Sequence, residues 1–214
     1  MSNQTNHDVS ASGSAAAATF SRAVLACVWL ALVAIAVAGR AWQPAAHVTP
    51  LAGVSLVAGF LFPNIFVAAS VPLVAIAIGN LFLPSYGSLT LAIVVYAALA
   101  WPVVLGRLGI LGRPGERPRW LAITGGALAS SLIFFFATNT AHWALTEQYP
   151  HTPAGLLACL VAGLPFHRWM PVGDVAWSLA LFGLVSLAVT AGNGLATPRL
   201  AAAELPRGRN DAAA

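Results

Sequence analysis

Lysine is absent from this chain of 214 residues, so its ten basic side chains are all arginine. A phosphate-binding loop of the usual kind needs a lysine, and nucleotide binding of that type is therefore excluded. Charge of either sign is scarce. Only 7% of residues are Asp, Glu, Lys or Arg, against roughly 25% in soluble domains. That is too little to cover a water-facing surface. Two cysteines, Cys27 and Cys159, stand alone inside apolar runs. They offer no CxxC pair and no disulfide framework, and read as small packing residues. The six acidic residues include no pair within one helical turn, and no GxSxG or HExxH is present. No catalytic residue, cofactor or metal site is expected. His142, His151 and His167 could converge with Glu147 or Asp174, but none of their spacings is a ligand signature.

Hydrophobic residues make up 59% of the chain, and they fall in runs. The runs cover 23–39, 51–62 (extended through Ala41–Thr49), 64–83, 88–106, 120–143 and 172–190. A run of about 20 residues is needed to cross a ~30 Å hydrocarbon core. The run at 51–62 reaches that length only by extending across Pro50 with a kink. The fold class expected is all-α: a polytopic membrane bundle of six transmembrane helices, with a short partial helix at 153–165 on the outer side. Residues 1–20 read as a disordered tail, 21–195 as the membrane domain, and 196–214 as a second disordered tail. The first run exceeds the usual signal-peptide length and has a single Arg before it, so it reads as a retained helix although Ala36-Val37-Ala38 fits a cleavage pattern.

The pI of 9.8 invites a nucleic-acid reading, but the arginines sit in short segments between apolar runs and form no basic stripe. With six spans, Arg22, Arg107, Arg113, Arg117, Arg119, Arg199, Arg207 and Arg209 fall on one side, and Arg40 and Arg168 on the other. Arginine excess marks the cytoplasm. The expected location is the plasma (inner) membrane, multi-pass, with both termini cytoplasmic.

The polar residues then gather outside. Asn139, His142 and Trp143 close the fifth run, Glu147 and Tyr149 come just after it, Asp174 opens the last, and Tyr86 lies between the third and fourth. Trp and Tyr at such places serve as interfacial anchors. Amides and acids near an apolar core are costly unless paired or water-lined, which points to a cavity for a small solute. Asn80, near the end of the third run, reads as an interhelical hydrogen bond or as a cavity residue. Ser130 and Ser131 are expected to bond their own backbone. Gly155, Cys159 and Gly163 recur every four residues, so one helix face can approach a neighbour closely.

The blocks HVTPLAGVSLVAGF, VPLVAIAIGNLFL, SSLIFFFATNTAHWALTEQYPHTPAGLLACLVAGLPF and GDVAWSLALFG, spanning His47 to Gly183, carry a resemblance. The chain is similar to a family of small bacterial membrane proteins known only as a domain of unknown function. That family resembles the substrate-capture (S) components of energy-coupling-factor vitamin transporters. The resemblance implies an outward cavity, a membrane T component as partner, and cytoplasmic ATPases for energy. It places an acidic residue where this chain has Asn80, and a tyrosine where it has Leu160. Ala34 and Ala38 match the Ala-x-x-x-Ala spacing by which S components meet their partner. The function expected is a substrate-binding transport subunit. The alternative is a structural or assembly protein whose outer polar residues meet another membrane protein.

Overall fold

The computed structural model describes residues 22–43, 48–82, 88–114 and 116–203, with side chains as far as Ala191. Helices in the described residues are α1 (Arg22–Ala41), α2 (Leu51–Leu61), α3 (Ile65–Gly79), α4 (Leu89–Ala100), α5 (Pro102–Arg107), α6 (Trp120–Leu145), α7 (Pro153–His167) and α8 (Met170–Ala203). α4 and α5 run on across Trp101 as one apolar piece of 19 residues. That leaves seven helical units and an all-α fold. Residues 1–20, read above as a disordered tail, and the end of the second such tail past Ala203 lie outside the described residues, while the backbone of α8 continues helically to Ala203.

Four of these units are long and apolar enough to cross a bilayer: Arg22–Ala41, Leu89–Arg107, Trp120–Leu145 and Met170–Ala191. This corrects the expected six. The two that fail are α2 and α3. Pro50 caps α2 at its start, and the chain leaves the helix at Phe62–Pro63. The 11 residues between rise only about 16 Å. Asn64 then restarts the chain by accepting hydrogen bonds from the Phe66 and Val67 N–H groups. α3 stops after 15 residues, a rise of about 22 Å. α7 is likewise a short apolar helix of 15 residues.

The geometry of α2 and α3 explains why a short helix suffices. Trp29 Nε1 donates to Ser70 Oγ (2.9 Å), and Arg40 reaches Asn80, so α1 and α3 run parallel. Gly39 abuts Pro50, so α2 starts where α1 ends. The α2–α3 hairpin therefore enters and leaves beside the end of α1. Ten of the eleven residues of α2 are buried, which makes it the axis of the molecule, packed by α1, α3, α5 and α8. Its non-helical end carbonyls, at Phe62 and Pro63, both accept from the Arg107 guanidinium, Phe62 at 3.0 Å. Lipid offers no hydrophobic drive between helices, so close packing must supply the stability. Glycines provide it. The Gly59 Cα lies against the Val103 backbone and the Gly106 Cα against the backbone of Leu56 and Phe60. Gly53 meets the α8 backbone at Trp177–Ser178. Outside this core, Phe66, Leu81, Phe82, Leu89 and Leu121 are exposed, as suits side chains that face acyl tails. The chain is a multi-pass membrane protein.

Candidate functional site

The residues singled out by sequence separate into three places. Tyr86 lies outside the described residues. Asn80 sits at the end of α3 with both amide atoms occupied: its Oδ1 accepts from Arg40 Nη2 (3.0 Å), and its Nδ2 donates to Tyr96 Oη (2.9 Å). This ties α1, α3 and α4 together. A groove of about 680 Å³ runs beside it along α3 and α4, but its walls are aliphatic side chains such as Leu73, Leu89 and Ile93, and those three are exposed. It faces where lipid would lie. Asn80→Asp is expected to strengthen the tie, because a carboxylate pairs with Arg40 and accepts from the Tyr96 hydroxyl where the amide now donates to it. A gain of about 1 kcal/mol, read as a higher melting temperature in detergent, is the expected outcome; a drop would contradict this placement.

The second place is the turn between α6 and α7. Here His142 Nε2 lies 2.9 Å from Gln148 Oε1, and its ring stands edge-on to Tyr149 at 6.4 Å. Trp143 Nε1 donates to the Pro150 carbonyl (2.9 Å) and packs edge-on to His151. His151 Nε2 lies 3.2 Å from the Thr146 carbonyl. Thr152 caps α7 by accepting from the Gly155 N–H. Glu147 is exposed. The polar atoms of His142, Trp143, His151 and Thr152 are spent on shaping the turn.

The third place holds Asn139 and Asp174. α7 packs back along the second half of α6 through the small face foreseen in the sequence. Gly163 sits against Asn139 and Phe135, Cys159 Sγ donates to the Asn139 carbonyl (3.4 Å), and Gly155 abuts the Pro150 carbonyl. Between α6, the end of α7 and the start of α8 lies a cavity of about 250 Å³, lined by Phe134, Phe135, Thr138, Asn139, Gly163, Phe166, His167 and Met170. Asn139 donates Nδ2 to the Phe135 carbonyl (2.8 Å) and turns Oδ1 toward Gly163. A larger residue at 163 would push into this space.

One turn below the cavity is a layer of buried polar groups. Ser131 lies one turn from Phe135 on α6, and Asp174 one turn from Met170 on α8. Ser131, Asp174 and Ser178 are each no more than 1% exposed. Ser131 Oγ lies 3.5 Å from His167 Nε2, with the Asp174 carboxylate beside it. Ser130 follows expectation by donating to the Gly126 carbonyl (2.7 Å). Ser131 departs from it, because its hydroxyl turns across to His167 of α7. Asp174 Oδ2 and Ser178 Oγ have no hydrogen-bond partner among the described residues. Asp174 also lies near the start of α2, between the contacts Gly173–Val48 and Ser178–Gly53.

Sequence reasoning missed Ser131, His167, Met170 and Ser178 as members of this place. The available signal was the pair Asp174 and Ser178, four residues apart in an apolar helix and hence on one face. No group of three His, Cys, Asp or Glu side chains converges to hold a metal ion among the described residues.

A family model matches residues 19–195, most of the chain, and its description is a family of unknown function, DUF6580. The chain belongs to this family. No curated protein matches the chain, and no solved structure does. Within this DUF6580 chain the matched segment takes in every helix that surrounds the cavity and its polar floor.

Proposed function

We propose that this DUF6580 protein is a substrate-binding transport subunit that takes a small solute into the cavity between α6, α7 and α8. The observation that carries this reading is the layering at that cavity: aromatic walls with a few polar groups, above a buried acid oxygen and a buried hydroxyl that have no hydrogen-bond partner among the described residues. Apolar walls with sparse, placed polar atoms are what small-molecule sites use, and ionisable groups at membrane depth mark pathways and ligands. Asn139 contributes Oδ1 and His167 its ring at the wall. The residues of the α6–α7 turn, His142, Trp143, Glu147 and Tyr149, hold the rim above it.

Orientation supports uptake from outside. Arg22, Arg107, Arg113, Arg117 and Arg119 lie toward the end of the bundle where α1 starts and α5 finishes, and the positive-inside bias assigns that end to the cytoplasm of the inner membrane. The cavity then lies toward the other side. In keeping with the similarity to S components, energy comes from a membrane T component with cytoplasmic ATPases. The exposed Ala34 and Ala38 of α1 suit contact with such a partner. The protein itself binds and releases, with no chemical conversion. Purified protein screened by thermal shift against a broad panel of compact, vitamin-like solutes is expected to be stabilised by at least one. Silence across the panel, with the protein shown to be folded, would sink the proposal and favour an assembly role.

A further inference from the structure

Resting on that reading, we infer that the solute carries a cationic nitrogen, and that Asp174 is its anionic anchor, with Ser178 as second acceptor. A carboxylate in an apolar interior is held at a large cost unless something compensates its charge. Ser131 lies beside the Asp174 carboxylate, but among the described residues Oδ2 has no hydrogen-bond partner, and neither has Ser178 Oγ one turn along the same helix.

Ser178 is conspicuous in its own right. Ser130, Thr138, Thr146 and Thr190 return their hydroxyls to the carbonyl four residues back, and buried Ser55 donates across to the Leu99 carbonyl. Ser178 does neither, which leaves its oxygen available beside Asp174. Two acceptors one turn apart and closed to water match an ammonium or azolium group, which offers donors or positive charge and no acceptor.

The cavity above fits the remainder of such a solute. Phe134, Phe135 and Phe166 present aromatic rings that favour a cation. Met170, at 7% exposure, lines the cavity one turn before Asp174 on α8, and its unbranched thioether can swing aside at little cost. Ser131 links the two levels, touching the His167 wall above and Asp174 below. An anionic solute would face the carboxylate unfavourably, and a neutral one would leave the charge uncompensated.

The test uses the full chain in detergent or nanodiscs, with solutes in matched sets. Choline is compared with its neutral isostere 3,3-dimethylbutanol, and benzylammonium with benzyl alcohol and benzoate. Binding is read by calorimetry and thermal shift in wild type, Asp174→Asn and Ser178→Ala. The expected result is at least about tenfold tighter binding of a cation than of its neutral partner in wild type. That preference should vanish in Asp174→Asn and shrink in Ser178→Ala. The unliganded Asp174→Asn protein should melt no lower than wild type, since an amide removes a buried acid with an unpaired oxygen and adds no ionisable group. Equal or tighter binding of the neutral or anionic partner, or a cation preference that survives Asp174→Asn, overturns the inference while leaving a solute-binding protein. Should Asp174→Asn fail to fold, the wild-type isostere comparison and Ser178→Ala decide the matter. Absence of binding by every solute, charged or not, overturns both the inference and the transport reading.

Discussion

Gly106→Val is expected to prevent the bundle from assembling, with a cost of about 3 kcal/mol or more. A Cβ at this position runs into the Leu56 carbonyl and stands 3.0 Å from Phe60 N. Both obstacles are backbone, so no rotamer change relieves them. Gly59 is the reciprocal case, with the Val103 carbonyl in the way. Because lipid removes the hydrophobic drive for helix association, the loss of this approach is not offset elsewhere. The measurement is the monodisperse fraction and melting temperature after extraction. Gly125→Val is the control: a Cβ there meets nothing within 4 Å, and Gly125 is exposed on α6. It should change stability by no more than about 0.5 kcal/mol. Equal behaviour of the two variants would show that the α2–α5 contact does not hold the fold.

Gly163→Val is the second large effect, and it acts on binding. The first atom of a side chain at 163 lies 2.5 Å from Asn139 Oδ1 and 3.1 Å from Phe135 Cε2. Asn139 must turn away, and the added methyls enter a cavity of only about 250 Å³. The neighbours here are side chains, which can move, so the bundle is expected to fold with a loss of about 1–2 kcal/mol. Solute affinity should fall by about a hundredfold, equivalent to 2.7 kcal/mol. Titration of a solute that stabilises wild type checks this. Undiminished affinity in folded Gly163→Val would place the solute elsewhere.

Much of the architecture can be read in the chain. α1, the α4–α5 piece, α6 and α8 follow from apolar runs long enough to cross a membrane, and α7 from a short run bounded by prolines. The small face Gly155–Cys159–Gly163 was legible because helical spacing alone places the three together. The misreading of α2 and α3 has a clear physical origin. Composition reports that a segment avoids water, and a helix buried in protein avoids water as thoroughly as one bathed in lipid. Only length separates the two cases, and the uncharged flank from Ala41 to Thr49 concealed how short α2 is. The site was legible in part for a similar reason. Asn139 and Asp174 stand out as polar residues in apolar runs, whereas Ser131 and Ser178 look like any hydroxyl able to bond its own helix. Their departure from that habit depends on a neighbouring helix distant in sequence. His142 and Trp143 drew notice through residue type, but their polar atoms close a turn a few residues away.

The central position of α2 bears on how the molecule is made. α2 emerges from the ribosome early, yet two of the surfaces that enclose it, α5 and α8, are synthesised later. Until α8 arrives, the Gly53 flank of α2 lacks its lid. The nascent chain must therefore shelter a half-length hairpin, too short to anchor itself, for most of translation. Completion of the last helix is thus the event that locks the first half of the protein in place.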